Sequence, residues 1–161
     1  MEQDVPAIDF SNKSKGYDEL ASLLTGLLDS EHHRIANAAN TAALLFGALP
    51  EVNWVGFYFL EFSELVVGPF QGKPACVRIA MGRGVCGQAA ARQETILVRD
   101  VHEFTDHIVC DMASNSEIVV PLIRSGELLG VLDVDSPKLA RFDAEDRVGL
   151  ERLAKIYVDS L

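Results

Sequence analysis

Six short runs of strand-forming residues follow one another through the middle of this 161-residue chain, at 52–60, 64–70, 76–79, 95–98, 117–123 and 128–134. Each run is rich in Val, Ile, Leu or Phe and lies between residues that favour turns, which is typical of short strands. The connections at 61–63 and at Ser125-Gly126 have the length of hairpin turns. We therefore expect a roughly six-stranded, largely antiparallel sheet.

Helical patterns flank these strands on both sides. Leucines recur at helical spacing over 17–28, and an alanine-rich segment over 31–49 does much the same. Asp29-Ser30 is predicted to break and cap these two helices, and Pro50 to end the second. From Phe142 onward the pattern is helical again, with Asp143 as the predicted cap. The apolar stripe of this last helix is predicted to comprise Val148, Leu150, Leu153, Ile156 and Tyr157.

The order helices, strands, helix predicts an α+β fold in which the N-terminal and C-terminal helices pack on the sheet. No repeat, linker or low-complexity segment divides the sequence, so residues 1–161 are expected to form a single domain. Apolar residues make up 48% of the chain, which is enough for a core without stabilising cross-links.

Charge and terminal composition restrict the partners and the compartment. A net charge of -10 opposes both the phosphate backbone of nucleic acids and an anionic membrane surface. The first twenty residues lack the basic and apolar segments of a secretory signal, and no run approaches the ~18 apolar residues of a membrane span. We expect a soluble cytoplasmic protein that binds neither nucleic acid nor membrane.

All three cysteines, Cys76, Cys86 and Cys110, lie in one third of the chain. Permanent disulfides are rare in the cytoplasm, so an odd number of cysteines there indicates free, catalytic, redox-sensing or metal-bound sulfur. Three inert buried thiols are the alternative, because free cysteine is among the most buried residue types.

Two familiar sites are disfavoured by spacing. Gly82, Gly84 and Gly87 spell G-x-G-x-x-G, and Asp100 follows at a suitable distance, as in dinucleotide-binding motifs. Too few residues separate Gly87 from the next strand for a parallel crossover, however, so no such cofactor is expected. These glycines are instead expected to allow a tight turn beside Cys86 and to begin a short helix at 87–93.

A metal centre was the second alternative. Cys76, Cys86, Cys110, His102 and His107 could supply ligands, but their spacing matches no common zinc pattern. No metal is predicted.

From Asn53 to Ile156 the sequence resembles the free methionine-(R)-sulfoxide reductases, which are stand-alone GAF domains. The resemblance rests on "NWVGFY", "GPFQGKPACVRI", "GRGVCG", "HIVCDMASNSEIVVPL" and "GVLDVDSP". It implies a GAF-like fold and an oxidoreductase, active against oxidative damage, that reduces free L-methionine (R)-S-oxide without a cofactor. It also implies a homodimer and a thioredoxin-type dithiol protein as the reductant.

The resemblance assigns roles to the cysteines. Cys110 is the implied nucleophile, whose sulfenic acid is captured by Cys76 as an intramolecular disulfide. Cys86 matches an auxiliary position that enters disulfides in some members. No Lys or Arg neighbours Cys110 in sequence, while Asp106 and Asp111 would oppose a thiolate nearby. Activation of the thiol is therefore expected from the fold or from the substrate.

The remaining implied site residues bind substrate: Trp54, Tyr58, Glu117, Asp133 and Asp135. A sulfoxide oxygen leaves more readily once protonated, which calls for a carboxylic acid kept neutral in a poorly solvated pocket. The aromatic pair would form an apolar wall for the substrate thioether. Solvated charges at strand ends and plain core aromatics are the alternative interpretation of these residues.

Strand geometry tests whether the three carboxylates can meet. Asp133 and Asp135 are two apart and share one face of a strand. If Ser125-Gly126 forms a simple two-residue turn, regular pairing places Glu117 opposite Val134, on the other face. We therefore predict a bulge near Pro121, or a Glu117 that precedes its strand.

The fold alone leaves two other functions open. A GAF sensor could bind a small ligand and report it to a partner, and a cysteine redox sensor could form the disulfide without any substrate. The carboxylates and Trp54 favour the enzyme.

Overall fold

The computed structural model describes residues 5–106 and 112–161, which form four helices and six strands. The helices are α1 (Lys13–Leu28), α2 (Arg34–Ala48), α3 (Gly84–Arg92) and α4 (Ala144–Asp159). The strands are β1 (Trp54–Glu61), β2 (Glu64–Gln71), β3 (Arg78–Ala80), β4 (Ile96–Val98), β5 (Ser116–Arg124) and β6 (Glu127–Ser136). Within the described segments, no helix is both long enough and apolar enough to cross a bilayer.

The strands form one sheet in the order β3-β2-β1-β6-β5-β4, and every neighbouring pair is antiparallel. All six runs identified in the sequence are strands, so the predicted α+β fold with an antiparallel sheet is confirmed. The two central strands, β1 and β6, carry Trp54, Asp133 and Asp135, so these side chains project from the most constrained part of the sheet.

Alternation along β1 divides the core into two layers. Val55, Phe57 and Phe59 face the layer that contains the buried residues of α1, α2 and α4. Trp54 and Tyr58 face the opposite layer, which α3 covers with Val85, Cys86, Ala89 and Ala90. One face of the sheet thus supports the fold, and the other carries polar side chains under a short helix.

Helix ends differ in part from the prediction. The second helix is capped by His33, whose side chain accepts from the Ala36 amide, rather than by Asp29-Ser30. The cap of α4 is Asp143, as predicted, and Asp146 completes a capping box. The prediction that Val148 belongs to the buried apolar stripe of α4 is wrong, since 67% of its surface is exposed. Val148 lies on the solvent-facing side of α4, so the buried stripe is narrower than predicted.

The glycine motif serves packing. A Cβ atom on Gly87 would lie 2.4 Å from the Ala80 carbonyl oxygen, so only glycine lets α3 approach the end of β3 this closely. Gly84 begins α3 at a φ of 61°, a conformation that other residues rarely adopt. The predicted short helix is confirmed, and it begins three residues earlier than expected.

A buried ion cluster joins the two ends of the chain. The Asp146 side chain is fully buried and accepts hydrogen bonds from the Tyr17 hydroxyl at 2.8 Å, Lys13 Nζ at 2.5 Å and Arg141 Nη1 at 3.1 Å. These donors come from α1 and from the loop before α4. Because a buried charge is tolerated only when it is paired, this cluster fixes α1 against α4.

Candidate active site

The β5–β6 hairpin decides which side chains meet. Arg124 pairs with Glu127 across the Ser125-Gly126 turn, as the sequence predicts. The register then shifts between Leu122 and Ile123, because Ile123 pairs with Leu128 and Leu122 with Gly130. Leu129 is therefore an extra residue in β6, which is a β-bulge.

The bulge turns Glu117 onto the face of the two aspartates. Beyond it Glu117 pairs with Asp135 rather than Val134, and directly paired residues share a face of the sheet. Gly130 makes the irregularity possible, since its φ is 153° and a Cβ there would lie 2.1 Å from the Tyr58 carbonyl oxygen. The predicted bulge near Pro121 is confirmed. Its extra residue, Leu129, lies on β6, and the register of β5 shifts just after Leu122, the residue that follows Pro121.

Pairing with β1 adds the aromatic residues to the same face. Trp54 lies opposite Asp135, and Gly56 lies opposite Asp133. Tyr58 follows two residues later on the same side of β1. The structure thus brings five of the eight predicted site residues, those on β1, β5 and β6, onto one side of the sheet.

The carboxylates are largely withdrawn from solvent. Glu117 and Asp133 are each only 6% exposed, while Asp135 is half-buried. The first turn of α3 places the Cys86 thiol above them, with Sγ 3.4 Å from Asp133 Oδ2 and 3.9 Å from Glu117 Oε1. Cys86 is a free, buried cysteine. This close group of one thiol and two carboxyl groups is called the acid cluster below.

Burial raises the pKa of every member of the acid cluster. Burial, followed by the charges of Asp133 and Asp135, raises the pKa of Glu117 well above its usual range. Burial also raises the pKa of Asp133 to about 6, against hydrogen bonds from Cys86 and Glu117 that favour its charged form. Glu117 is therefore the carboxyl group of the cluster that holds a proton more strongly, and Asp133 is the one that ionises more readily.

The thiol of the cluster is not activated. Burial and the neighbouring charges of Asp133 and Glu117 raise the pKa of Cys86 well above its usual value. A thiol, unlike a thiolate, is a poor nucleophile. The position of Cys86 therefore suits a hydrogen-bond donor to Asp133 better than an attacking group.

Two aromatic side chains hold the loop between β2 and β3 over this face. Trp54 Nε1 donates to the Lys73 carbonyl oxygen at 3.1 Å, and the Tyr58 hydroxyl donates to the Cys76 carbonyl oxygen at 3.0 Å. Gly72 permits the close approach, since a Cβ there would lie 2.7 Å from the indole of Trp54. Burial raises the pKa of Tyr58, so its hydroxyl stays protonated and able to donate.

A small cavity of about 40 Å³ remains between the loop, the sheet and α3. Trp54 and Tyr58 form its aromatic side, and Trp54 also stacks on Phe70, with ring centroids 5.2 Å apart. The cavity is lined by Trp54, Tyr58, Lys73, Pro74, Ala75, Cys86, Ser114, Glu117, Asp133 and Asp135.

Two of the three predicted redox residues have described positions. Cys76 lies in the loop between β2 and β3, residues 72–77, which is called the covering loop. It follows directly after the cavity-lining Pro74 and Ala75, and it is disulfide-bonded. Cys86 lies in the acid cluster with a free thiol. Cys110, the predicted nucleophile, lies outside the described residues, as do Asp111 and His107.

Asp106 was expected to oppose a nearby Cys110 thiolate, but its own charge is paired. Its carboxylate accepts two hydrogen bonds from Arg83, at 2.6 and 2.7 Å, at the start of α3. The Arg83 hydrogen bond lowers the pKa of Asp106. A paired carboxylate opposes a nearby thiolate far less than an isolated one, so the repulsion expected from the sequence is reduced here.

Ser114 is a cavity residue that sequence reasoning missed. It is only 5% exposed, and its hydroxyl accepts a hydrogen bond from Asn53 Nδ2 at 3.1 Å. Ser114 lies between Ala113 and Asn115, before β5 begins, so no strand or helix periodicity identifies it. Lys73 and Pro74 lie in the loop between β2 and β3, where no periodic pattern identifies them either. All three residues lie inside segments that carried the family resemblance.

Of the metal ligands considered from the sequence, Cys76, Cys86 and His102 have described positions, and these three do not form one group. His102 is exposed, and its Nε2 lies 3.0 Å from Asn115 Oδ1. Among the described residues, the group that could hold a metal is instead the acid cluster, Cys86, Glu117 and Asp133. Its two carboxylates are far from Cys86 in sequence, so no spacing rule identifies them.

Comparison with known proteins agrees with this geometry. The chain matches the family model of the GAF domain over residues 23–157. It is 51% identical over 142 residues to the free methionine-R-sulfoxide reductase of Escherichia coli, covering 88% of this chain and 86% of that protein. The protein of the same name from Saccharomyces cerevisiae is 42% identical over 153 residues, covering 90% and 85%.

Solved structures extend the agreement to the backbone. The structure of free methionine-R-sulfoxide reductase from Neisseria meningitidis in complex with its substrate superposes with a TM-score of 0.93 at 45% identity, covering 98% of this chain and 95% of that one. The chain therefore belongs to the GAF-domain free methionine-R-sulfoxide reductases, which are oxidoreductases acting on sulfur.

Proposed function

We propose that this protein reduces free L-methionine (R)-S-oxide to methionine in the cavity above the acid cluster. The observation that carries the proposal is the pair of buried carboxyl groups, Glu117 and Asp133, on the same face as Trp54. A plain ligand-binding domain has no need of a buried acid with a raised pKa, whereas reduction of a sulfoxide consumes a proton.

Glu117 is the proposed proton donor. The Cys110 thiolate attacks the sulfoxide sulfur and forms an S–S bond while Glu117 protonates the oxygen. The S–O bond then breaks, the oxygen moves to the cysteine sulfur, and the S–S bond breaks to release methionine. With the proton from Glu117 the products are methionine and a sulfenic acid on Cys110, so sulfur of the substrate is reduced by two electrons and the cysteine is oxidised by two. The neighbouring charge of Asp133 supports this role, because it helps to keep Glu117 protonated before the reaction.

Cys76 is the proposed resolving residue. Its thiolate attacks the sulfenic sulfur, hydroxide leaves and takes up a proton to form water, and a disulfide joins Cys76 to Cys110. A dithiol protein of the thioredoxin type then restores both thiols. The disulfide-bonded state of Cys76 and its place in the covering loop support this assignment. Cys86 takes the part of an auxiliary residue that orients Asp133.

Substrate recognition follows from the composition of the cavity. Asp135 and Asp133 provide negative charge for the ammonium group of a free amino acid, and the Trp54 indole provides an apolar surface for the thioether. Tyr58 acts through the loop, since its hydroxyl is bonded to the Cys76 carbonyl oxygen. We also retain the proposals of a homodimer, a cytoplasmic location and a part in defence against oxidation.

The test is turnover of racemic free methionine sulfoxide with thioredoxin, thioredoxin reductase and NADPH. We expect loss of the R form alone. Cys110→Ser should abolish turnover, and Cys76→Ser should permit one turnover per chain and then stop. Loss of both stereoisomers, or activity that survives Cys110→Ser, would contradict the proposal.

A matched pair of variants tests the acid. Glu117→Gln removes the proton and should lower kcat by about 100-fold or more, the usual contribution of a general acid. Glu127→Gln changes an exposed glutamate at the start of β6 and should leave kcat unchanged. If the protein binds methionine sulfoxide by calorimetry and never turns it over, it is a GAF ligand sensor instead.

A further inference from the structure

The acid cluster has the geometry of an incomplete metal site. One ligand atom from each of Cys86, Glu117 and Asp133 lies within 4.8 Å of the other two. All three residues are buried. Asp133 supplies a second, independent observation: its Oδ1 atom is buried and has no hydrogen-bond partner within the part of the chain that the structure describes. An unsatisfied carboxylate oxygen in such a position is costly unless something binds it.

The distances select one class of cation. Zinc binds cysteine sulfur at about 2.3 Å and carboxylate oxygen at about 2.0 Å, so tetrahedral coordination separates S from O by about 3.5 Å. The Cys86 sulfur lies 3.4 Å from Asp133 Oδ2 and 3.9 Å from Glu117 Oε1. Calcium and magnesium require six or more oxygen ligands and do not use a thiolate. The site therefore suits a thiophilic, four-coordinate dication.

Charge favours the same occupant. Asp135 lies on the same face beside Glu117 and adds a third carboxylate to the surroundings of the cluster. A cation held by Cys86, Glu117 and Asp133 neutralises this negative charge, and the protons of the Cys86 thiol and the Glu117 carboxyl group are released to solvent on binding. Three protein ligands leave a fourth position, which faces the cavity and can be filled by solvent.

We propose that the acid cluster binds Zn²⁺, or Cd²⁺ as its experimental substitute, and that the bound ion blocks the cavity and inhibits the enzyme. The ion is an inhibitor rather than a resident cofactor, because it occupies Glu117 and Asp133, two of the side chains that line the cavity proposed to bind the substrate. The inhibition, although not the binding, rests on the proposed function.

Binding is tested on the full-length double variant Cys76→Ser/Cys110→Ser, in which Cys86 is the one thiol of the sequence. Titration with CdCl₂ should produce the ultraviolet charge-transfer band of a Cd–thiolate bond, saturating at one ion per chain. Adding Cys86→Ser should remove the band. Asp133→Asn, made in the same double variant, retains the thiol and should weaken binding by about tenfold or more.

Two outcomes of the titration overturn the site. The first is the absence of the band in the double variant, and the second is an unchanged affinity after Asp133→Asn. Circular dichroism of each variant confirms that a lost band reflects a lost ligand and not an unfolded chain.

Inhibition is tested on the wild-type enzyme with a phosphine reductant, which avoids competing thiols. Zn²⁺ should inhibit competitively against methionine sulfoxide, and EDTA should restore the rate. Turnover that is insensitive to Zn²⁺ would overturn the inhibitory role. Absence of any turnover would refute the proposed function, while the Cd²⁺ titration would still decide whether the site exists.

Discussion

Replacing Asp133 by Asn should stabilise the fold at neutral pH while it damages the active site. In the folded protein burial raises the pKa of Asp133 to about 6, from an ordinary value of 3.8. The folded state therefore retains a proton that the unfolded chain has already released. Stability is thus lost as the pH rises from the ordinary pKa through the folded one, and the loss persists above it. An amide, which carries no charge, avoids this loss.

The magnitude follows from the size of the pKa change. A rise from 3.8 to about 6 corresponds to about 3 kcal/mol of unfolding free energy at pH 7. Below the ordinary pKa both states are protonated, so the carboxyl group and the amide should then differ little. Removal of the Asp133 charge also relieves the neighbouring Glu117, whose pKa is raised in part by that charge.

The assay is urea unfolding of the wild type and of Asp133→Asn at about pH 4 and about pH 7.5, in the same redox state. The advantage of the variant should grow with pH, from near zero to about 3 kcal/mol. Asp29→Asn, at an exposed aspartate after α1, is the control and should show no such growth. A difference that stays constant with pH, or a variant less stable than wild type at the higher pH, would refute the reasoning.

Three further changes test other parts of the structure. Gly130→Ala should cost about 3 kcal/mol or more in urea unfolding, because its Cβ would meet a carbonyl oxygen at 2.1 Å, whereas Gly126→Ala, with open space around it, should cost about 1–2 kcal/mol. Asp146→Ala should cost about 3–5 kcal/mol in the same assay, since it leaves two cations beside a buried gap. Tyr58→Phe should cost about 1 kcal/mol and slow formation of the Cys76 disulfide after one turnover, as followed by mass spectrometry. Equal costs for the two glycines, a neutral Asp146→Ala or an unchanged rate in Tyr58→Phe would each contradict its prediction.

The strands and their pairing could be predicted because local signals were strong. Alternation and the two hairpin turns are local features, and they place Asp133 and Asp135 on one face of β6 without reference to the rest of the chain. Trp54 was assigned to the same site only through the resemblance, because the β1–β6 pairing that brings it there is long-range. The bulge could be inferred only in combination with the resemblance, since it was needed to bring Glu117 to the aspartates. Its position at Leu129 depends on the close approach of Gly130 to β1, which is a tertiary contact.

Other features depended on contacts that no local pattern reports. The N-cap of α2 is His33 rather than Asp29-Ser30. The Glu31 side chain accepts hydrogen bonds from the backbone amides of His32 and His33 and holds the chain in a turn before the helix begins. The place of Cys86 above two carboxyl groups required the packing of α3 on the sheet. The resemblance gave this cysteine an auxiliary redox role, and the burial of its thiol favours a supporting one.

The two halves of the proposed chemistry stand on parts of the molecule with different mechanical properties. The groups proposed to hold and protonate a ligand lie on three neighbouring strands of the sheet, β1, β6 and β5, whereas Cys76 belongs to a connecting loop fastened by the hydrogen bonds of Trp54 and Tyr58. The recycling step proposed for Cys76 can therefore be lost or gained by exchanging this loop, while the substrate-binding groups on the sheet stay intact. A single ancestral pocket of this design could supply both catalysts and detectors of small amino acids.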